Sequence, residues 1–348
     1  MKQVGKKLLT WCLAIIVLFT TTACGGEKTV EKPVEEATTR TFTDSAGRTV
    51  TLPNKLTKIA PSGYLAQVVL ASFVPDRMVC LARMPGDKVV SAIRDFPKDL
   101  PEVGQFYGKK PDFNKEELIK AAPEVVIDIG ERKKTIREDM DQIQENTGVP
   151  TIYIELTPET AAQAYKTLGT LLDEQDRAEK VAAFFEKEMQ VINEGLKKIP
   201  EEKRIRFLQV GGKNGMSVDP EGSSHVAALK AAGGINAAAP AEKTDKKSKT
   251  ENLNMEEVVK ADPDMIFAKD KSTYEDIMAD GRWQALRAVK EDKVIQVPSD
   301  PYCFVDMPPG VNQMIGIYWG AHIMYPDVFD YDIDALVKEF KETVLNIH

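Results

Sequence analysis

Histidine is the scarcest chemical resource in this chain: three in 348 residues, at positions 225, 322 and 348, too far apart in sequence to suggest a cluster. A bare divalent-metal site built on imidazole is therefore disfavoured, and no Cys/His spacing of the zinc type occurs. Cysteine is nearly as sparse. Cys12 and Cys24 lie at the amino terminus, which leaves Cys80 and Cys303 for the remaining chain. A disulfide between these two stays open, but Cys80 sits in the apolar run Met78-Val-Cys-Leu-Ala82 and reads as a small buried strand residue. The sequence has no Gly-x-Ser-x-Gly elbow and no evident nucleophile–base pair, so catalytic residues are not assigned. Gly211-Gly-Lys-Asn214 is rich in glycine yet lacks the spacing and the Ser/Thr of a phosphate-binding loop, and it reads as a strand-to-strand turn. The apolar stretch Val311–Tyr325 is interrupted by Gly316, Gly320 and His322, which excludes it as a membrane span.

The amino terminus is different. Lys2, Lys6 and Lys7 precede an apolar run, Leu8–Phe19, and small residues ending in Ala23, the order of a secretory signal over residues 1–23. Cys24 follows directly and resembles the lipid-attachment cysteine of a bacterial lipoprotein box, although Thr21 departs from the usual leucine. Residues 24–40 are charged, small and aperiodic, and read as a lipidated, disordered tether. The protein is expected outside the cytoplasm, anchored to the outer face of the cytoplasmic membrane through Cys24. Loss of three leader lysines takes the formal charge from −8 to −11, so nucleic acid is a poor partner for such a chain.

The window from Pro158 to Pro200 organises the rest. Ala178, Val181, Ala182, Phe185, Met189, Ile192 and Leu196 recur at steps of three and four, the stripe of an amphipathic helix from about Asp173 to Lys198. A shorter helix ends near Leu172. The text on either side of this pair is similar. Asn114-Lys-Glu-Glu-Leu-Ile-Lys-Ala-Ala-Pro123-Glu-Val-Val-Ile-Asp128 is echoed by Asn254-Met-Glu-Glu-Val-Val-Lys-Ala-Asp-Pro263-Asp-Met-Ile-Phe-Ala268. Each copy reads as an Asn-capped helix, a proline turn and a buried strand, and matched residues at one offset indicate two related units. The expectation is an α/β protein: two α/β lobes with mainly parallel sheets, residues 41–158 and 201–348, joined by linking helices over 159–200, with a ligand cleft between the lobes.

Shorter elements complete the plan. A hairpin turns at Ser45-Ala-Gly47, a strand at Thr57–Ala60 leads into a helix over Tyr64–Phe73, and Met78–Ala82 reads as a strand. Ser223 or Ser224 caps a helix ending near Gly233, residues 236–250 read as a loop, and a helix is expected to carry Trp283 and Leu286. Helices over Val311–Tyr325 and Asp334–Ile347 close the second lobe.

Taken in order, several motifs are similar to those of the solute-binding lipoproteins of ABC importers, in the subclass for ferric siderophores, haem and cobalamin. They are Asp44-Ser-Ala-Gly-Arg-Thr-Val50; Lys58-Ile-Ala60 before a helix; Val103-Gly104; Glu116 and Glu256, each seven residues before a proline; Ala232-Gly-Gly-Ile-Asn236; and Trp283-Gln-Ala-Leu with Lys293-Val. Ser72-Phe73 departs from the usual Leu-Gly after the first helix. The resemblance implies a monomer with no intrinsic cofactor, carrying an iron chelate, haem or corrinoid to a permease dimer with its ATPase. It also implies that Glu116 and Glu256, one exposed acid per lobe, pair with arginines on that permease.

In open α/β sheets ligands bind at the carboxyl ends of the strands, which nominates cleft residues. These are Ser62, Tyr64 and Arg83; the aromatic loop residues Phe106 and Tyr107; Arg132; Lys213, Asn214 and Lys269; and Tyr302 and Phe304. Aromatic rings offer flat apolar area, and the basic groups can meet an anionic chelate. Tyr302 or Cys303 is also a candidate haem ligand, whereas His225, near a helix start, could face the cleft but reads first as a solvated or capping residue, and His322 reads as a core one. Two other readings stay open: a molybdate or tungstate carrier of the same fold, and a two-lobed hydrolase or transferase.

Overall fold

The computed structural model describes residues 38–106, 111–238, 251–306 and 310–347. The leader, Cys24, most of the tether, Tyr107 and most of the 236–250 loop lie outside the described residues.

The first element is an antiparallel hairpin, β1 (Thr39–Thr43) and β2 (Thr49–Pro53). Its turn is fixed by a buried pair. Asp44 accepts hydrogen bonds from the amides of Ala46 and Arg48 at 2.9 Å, while Arg48 Nη1 donates to Asp44 at 3.0 Å and to the Thr151 carbonyl at 2.8 Å. The hairpin is thereby riveted to the lobe behind it. Next come β3 (Ile59–Pro61), α1 (Tyr64–Phe73), α2 (Asp87–Ala92), α3 (Lys115–Ala121), β4 (Val125–Gly130), α4 (Ile136–Thr147) and β5 (Thr151–Glu155). The three strands from β3 to β5 form a parallel sheet in that order. β4 is buried over Val125–Ile129, as expected of a parallel strand covered on both faces. Met78–Ala82 is not a full strand. One parallel bridge joins Met78 to Ile59 of β3, and a second joins Leu81 to Glu102, outside the sheet.

Two helices follow, α5 (Ala161–Leu172) and α6 (Gln175–Leu196). At 1.5 Å per residue the 22 residues of α6 span about 33 Å. Gly169 allows the pair to close up: a Cβ there would stand 2.4 Å from that of Ala178. α6 is the common wall of the molecule. Phe185 packs on Tyr165, which meets Phe73 of α1 edge-on at 5.6 Å. Phe184 packs at 6.1 Å on Tyr318 and at 6.2 Å on Phe340, both from the carboxyl-terminal helices.

The second lobe contains β6 (Arg206–Gly211), β7 (Ser217–Val218), α7 (Ala227–Ala231), β8 (Ile235–Asn236), β9 (Glu251–Asn252), α8 (Met255–Ala261), β10 (Met265–Ala268), α9 (Lys271–Ala279), α10 (Arg287–Lys290) and β11 (Val294–Gln296). β11, β10, β6, β7 and β9 lie side by side in that order, with β8 also on β6. The pairings of β10 with β6 and β11 are parallel. α11 (Asn312–Met324) and α12 (Ile333–Thr343) pack behind. Trp283 departs from expectation. It lies in a short 3₁₀ turn between α9 and α10, fully buried, and its indole N–H reaches the Asn214 carbonyl at 3.2 Å.

The echoed units form matching structures. Asn114 and Asn254 cap α3 and α8 by accepting backbone amide bonds, and Glu257 completes a capping box. Both helices end in a left-handed residue, Ala122 at φ 51° and Asp262 at φ 38°, just before the proline that starts the turn into the strand.

α11 presses its backbone against the segment 304–305. A Cβ on Gly316 would stand 2.3 Å from the Phe304 carbonyl oxygen, so this helix position has room only for hydrogen. Gly316→Ala is expected to destabilise the protein by about 1–3 kcal/mol through overpacking. Urea unfolding measures it, and an unchanged midpoint would show that the contact yields freely.

Candidate functional site

A cleft of about 990 Å³ opens where the carboxyl ends of the strands meet. Ser62–Ala66, after β3, and Asp128–Gly130, at the end of β4, form one wall. Gly211 and Gly212, Lys269 and Asp270, and Ser299 with Pro301–Cys303 form the other, following β6, β10 and β11. Strand ends in both sheets face this crevice because each β-to-α connection leaves its loop there.

On the first wall the Arg83 guanidinium lies 3.9 Å from the centre of the Tyr64 ring. Buried Gln67 of α1 fixes the arginine's backbone: its side chain accepts from the amides of Ala82 at 2.7 Å and Arg83 at 3.1 Å, and donates to the Arg83 carbonyl at 2.8 Å. Burial raises the Tyr64 phenol pKa, with Arg83 opposing that shift. Burial and the neighbouring Tyr64 raise that of Tyr302 on the facing wall. Both phenols therefore stay protonated at neutral pH. Below them Ser62 donates to Asp128, whose carboxyl is pushed up by burial and only partly restored by that bond.

The second wall carries a compact charge network. Lys269 is flanked by Asp219 and Asp306, with 2.5 Å between its ammonium and Asp306 Oδ2. Asp306 also binds His225 Nδ1. Both aspartate side chains are about 1% exposed, so their charges depend on these partners. Burial alone would raise Asp306, but the bond from His225 and the charge of Lys269 outweigh it and hold the carboxyl below the usual range. The same bond, against desolvation, raises His225. For Lys269, desolvation is outweighed by the two aspartates and the ammonium is held above its ordinary value.

Of the sequence candidates, Ser62, Tyr64, Arg83, Lys269 and Tyr302 line the cleft, as does Cys303. The others stand off it. Phe106 stacks on Phe113 at 3.6 Å, and its amide donates to the Ser62 carbonyl. Arg132 is exposed and faces Glu155 at 3.7 Å. Lys213 is on an exposed turn, and Asn214 is not a lining residue; its backbone amide donates to Asp276 and its backbone carbonyl accepts from Trp283. Phe304 is buried against Trp319. Tyr107 lies outside the described residues. Glu116 and Glu256 are exposed on the first turns of their helices. Cys80 and Cys303 are both buried thiols, not a disulfide. His322 Nδ1 donates to the Phe329 carbonyl, 2.7 Å away, and the ring stacks on Tyr331. His225 is the residue that sequence reasoning undervalued: it lines the cleft instead of standing in solvent. Ser223 in the capping position before it and the acid at Asp306 were the available signals, but 81 residues separate His225 from Asp306.

Lys269→Met would leave two buried carboxylates without their cation and is expected to cost about 3–5 kcal/mol in urea unfolding. His225 makes stability pH-dependent. Its folded pKa is raised, so its contribution is complete below the ordinary histidine value of about 6.5 and disappears as pH climbs through the raised one. Asp306 acts in the opposite sense, losing its contribution as pH falls through its depressed value. Thermal melting should therefore show a decline on the alkaline side that His225→Gln abolishes; parallel profiles would refute the coupling.

Residues 83–301 match the family described as periplasmic binding protein. No curated protein sequence matches the chain significantly. An ABC transporter solute binding protein from Sulfurospirillum deleyianum is 21% identical with a TM-score of 0.79, over 89% of this chain and 96% of that one. The molybdate periplasmic binding protein MolA of Haemophilus influenzae, solved with molybdate bound, is 18% identical with a TM-score of 0.67, over 88% and 98%. The iron-uptake system-binding protein FeuA of Bacillus subtilis is 18% identical with a TM-score of 0.59, over 82% and 99%. At such identities these likenesses speak for the fold, while the family match covers well over half of the sequence. Among the described residues no helix is long and apolar enough to cross a membrane. The chain belongs to the periplasmic binding protein family: it is an extracytoplasmic solute-binding protein that serves an ABC permease and ATPase, and not an enzyme.

Proposed function

We propose that the protein captures an iron chelate, a haem or a corrinoid between its lobes and hands it to the permease. The observation that carries this reading is the size and lining of the cleft. About 990 Å³ is the upper part of the range for organic ligands, and far exceeds what a tetrahedral oxyanion fills. Tyr64 and Tyr302 offer ring faces with protonated hydroxyls, and Leu65, Val89 and Ile129 add apolar surface. Arg83 has no carboxylate at ion-pair distance among the described residues, so it is the natural group for an anionic cargo. Lys269 is already neutralised by its aspartates and serves mainly to shape the opposite wall.

In the same reading Cys24 carries the lipid that holds the monomer at the outer face of the cytoplasmic membrane. Glu116 and Glu256 meet basic side chains on the two halves of the permease, where two matched acids on two matched lobes suit a two-fold receptor.

The test is titration of the apo protein with ferric hydroxamate, ferric catecholate, haemin, cyanocobalamin and molybdate, followed by fluorescence quenching. Saturable binding of one of the first four is expected; binding of molybdate alone would sink the reading. With the chelate that binds, Arg83→Ala should weaken affinity by about 1.5–3 kcal/mol, the value of a charged hydrogen bond. Glu116→Ala with Glu256→Ala should leave that affinity intact and reduce uptake in cells. Collapse of affinity would move these acids into the cleft.

A further inference from the structure

Large apolar side chains in the open are few among the described residues, and the two most exposed are Val259 at 53% and Ile119 at 50%. A lone exposed apolar residue is ordinary and means nothing by itself. These two are not independent. Each stands five residues after the capping asparagine of its helix, Ile119 on α3 and Val259 on α8, and each lies one helical turn beyond an exposed glutamate, Glu116 or Glu256. The next residue in both copies is an exposed lysine, Lys120 or Lys260. The opposite face of each helix is anchored by a fully buried side chain, Leu118 or Val258, so the orientation of the outer face is set by packing and by the matched left-handed caps. β-branched residues are mediocre helix formers, so neither position gains from Ile or Val while it faces water.

Both patches are tied to segments that line the cleft. Asp112, just ahead of α3, accepts the amide of cleft residue Gln105 at 3.0 Å. β9, just ahead of α8, pairs its Asn252 with cleft residue Ser217, and the Leu253 amide donates to the Met216 carbonyl at 2.9 Å. Each lobe thus presents one acid beside one apolar side chain, at the same step of the matching helix, and each helix follows a segment bonded to a cleft residue.

We infer that Ile119 and Val259 are twin apolar anchors for the permease dimer, each seated in an apolar hollow next to the basic group that receives the neighbouring glutamate. This rests on the docking role given above to Glu116 and Glu256. The occupant is a surface that offers this hollow twice, related by a two-fold axis, because the patch itself occurs twice. Division of labour follows from physics: exposed charges steer encounter and respond to salt, whereas apolar side chains buried in a partner's pocket govern how long the complex lasts.

The experiment is surface plasmon resonance of the full protein over its cognate permease–ATPase complex in nanodiscs, at two salt concentrations, with thermal melting of every variant. Ile119→Ser with Val259→Ser is chosen because serine, isoleucine and valine have similar helix propensity. The double variant is expected to melt like the parent and to bind about 30-fold more weakly through faster dissociation, on the order of 2 kcal/mol. Glu116→Ala with Glu256→Ala should instead slow association and flatten the salt dependence. Three results would overturn the inference. Weakening by the glutamate pair alone leaves acid docking intact and removes the anchors. No effect of either pair means that this face does not dock at all. Self-association of the parent chain in light scattering, lost in the serine variant, would assign the patches to contacts between copies.

Discussion

Everything in this molecule hangs on the packing of aromatic side chains along α6. Phe184 and Phe185 are adjacent in sequence and so point to different sides of one helix, yet both are buried. One is held by rings from the carboxyl-terminal helices, the other by Tyr165 and, through it, by Phe73 of the first lobe. A single apolar cluster consequently runs from the first sheet through the helical pair to the second, with Leu168, Leu171 and Leu172 filling the middle. Such a core is close-packed, so α6 ties both lobes to one continuous wall. The crevice is what remains where the two sheets do not touch.

The parts that were legible in the sequence are those fixed by local rules. Apolar recurrence at steps of three and four marked α6 to within two residues at each end, and Asn254 with Glu257 announced a capping box. Continuous apolar runs marked β4 and β10. What was hidden depends on contacts across long separations. Nothing near Asn214 reveals that its backbone carbonyl accepts the Trp283 indole N–H from 69 residues away. The departure of Trp283 from a regular helix has the same cause, since its ring is fully buried and its indole N–H is spent on the β6–β7 turn. Phe304 follows the cleft residues Tyr302 and Cys303 directly, yet its backbone lies against Gly316 of α11 and its ring packs on Trp319.

The two walls of the cleft solve the problem of buried charge differently. Asp128 is a lone carboxyl with a hydroxyl donor, and burial shifts it toward the protonated form. Asp306 keeps its charge because His225 and Lys269 stand against it, and Lys269 also pairs with Asp219. On the second wall Lys269 is thus paired with both aspartates, and its outward electrostatic influence is weaker than its residue type suggests. On the opposite side Arg83 has no carboxylate at ion-pair distance among the described residues.

Gln67 gives that arginine a further property. By gripping the main chain at Ala82 and Arg83 with three hydrogen bonds, the amide side chain couples the loop to the same helix that begins with Tyr64. The backbone that carries the stacked pair is thus held in place before any encounter. Cargo need not immobilise that stretch of main chain on arrival. Differences in affinity among candidate cargoes should then owe less to the cost of ordering this loop than to their own shape and charge.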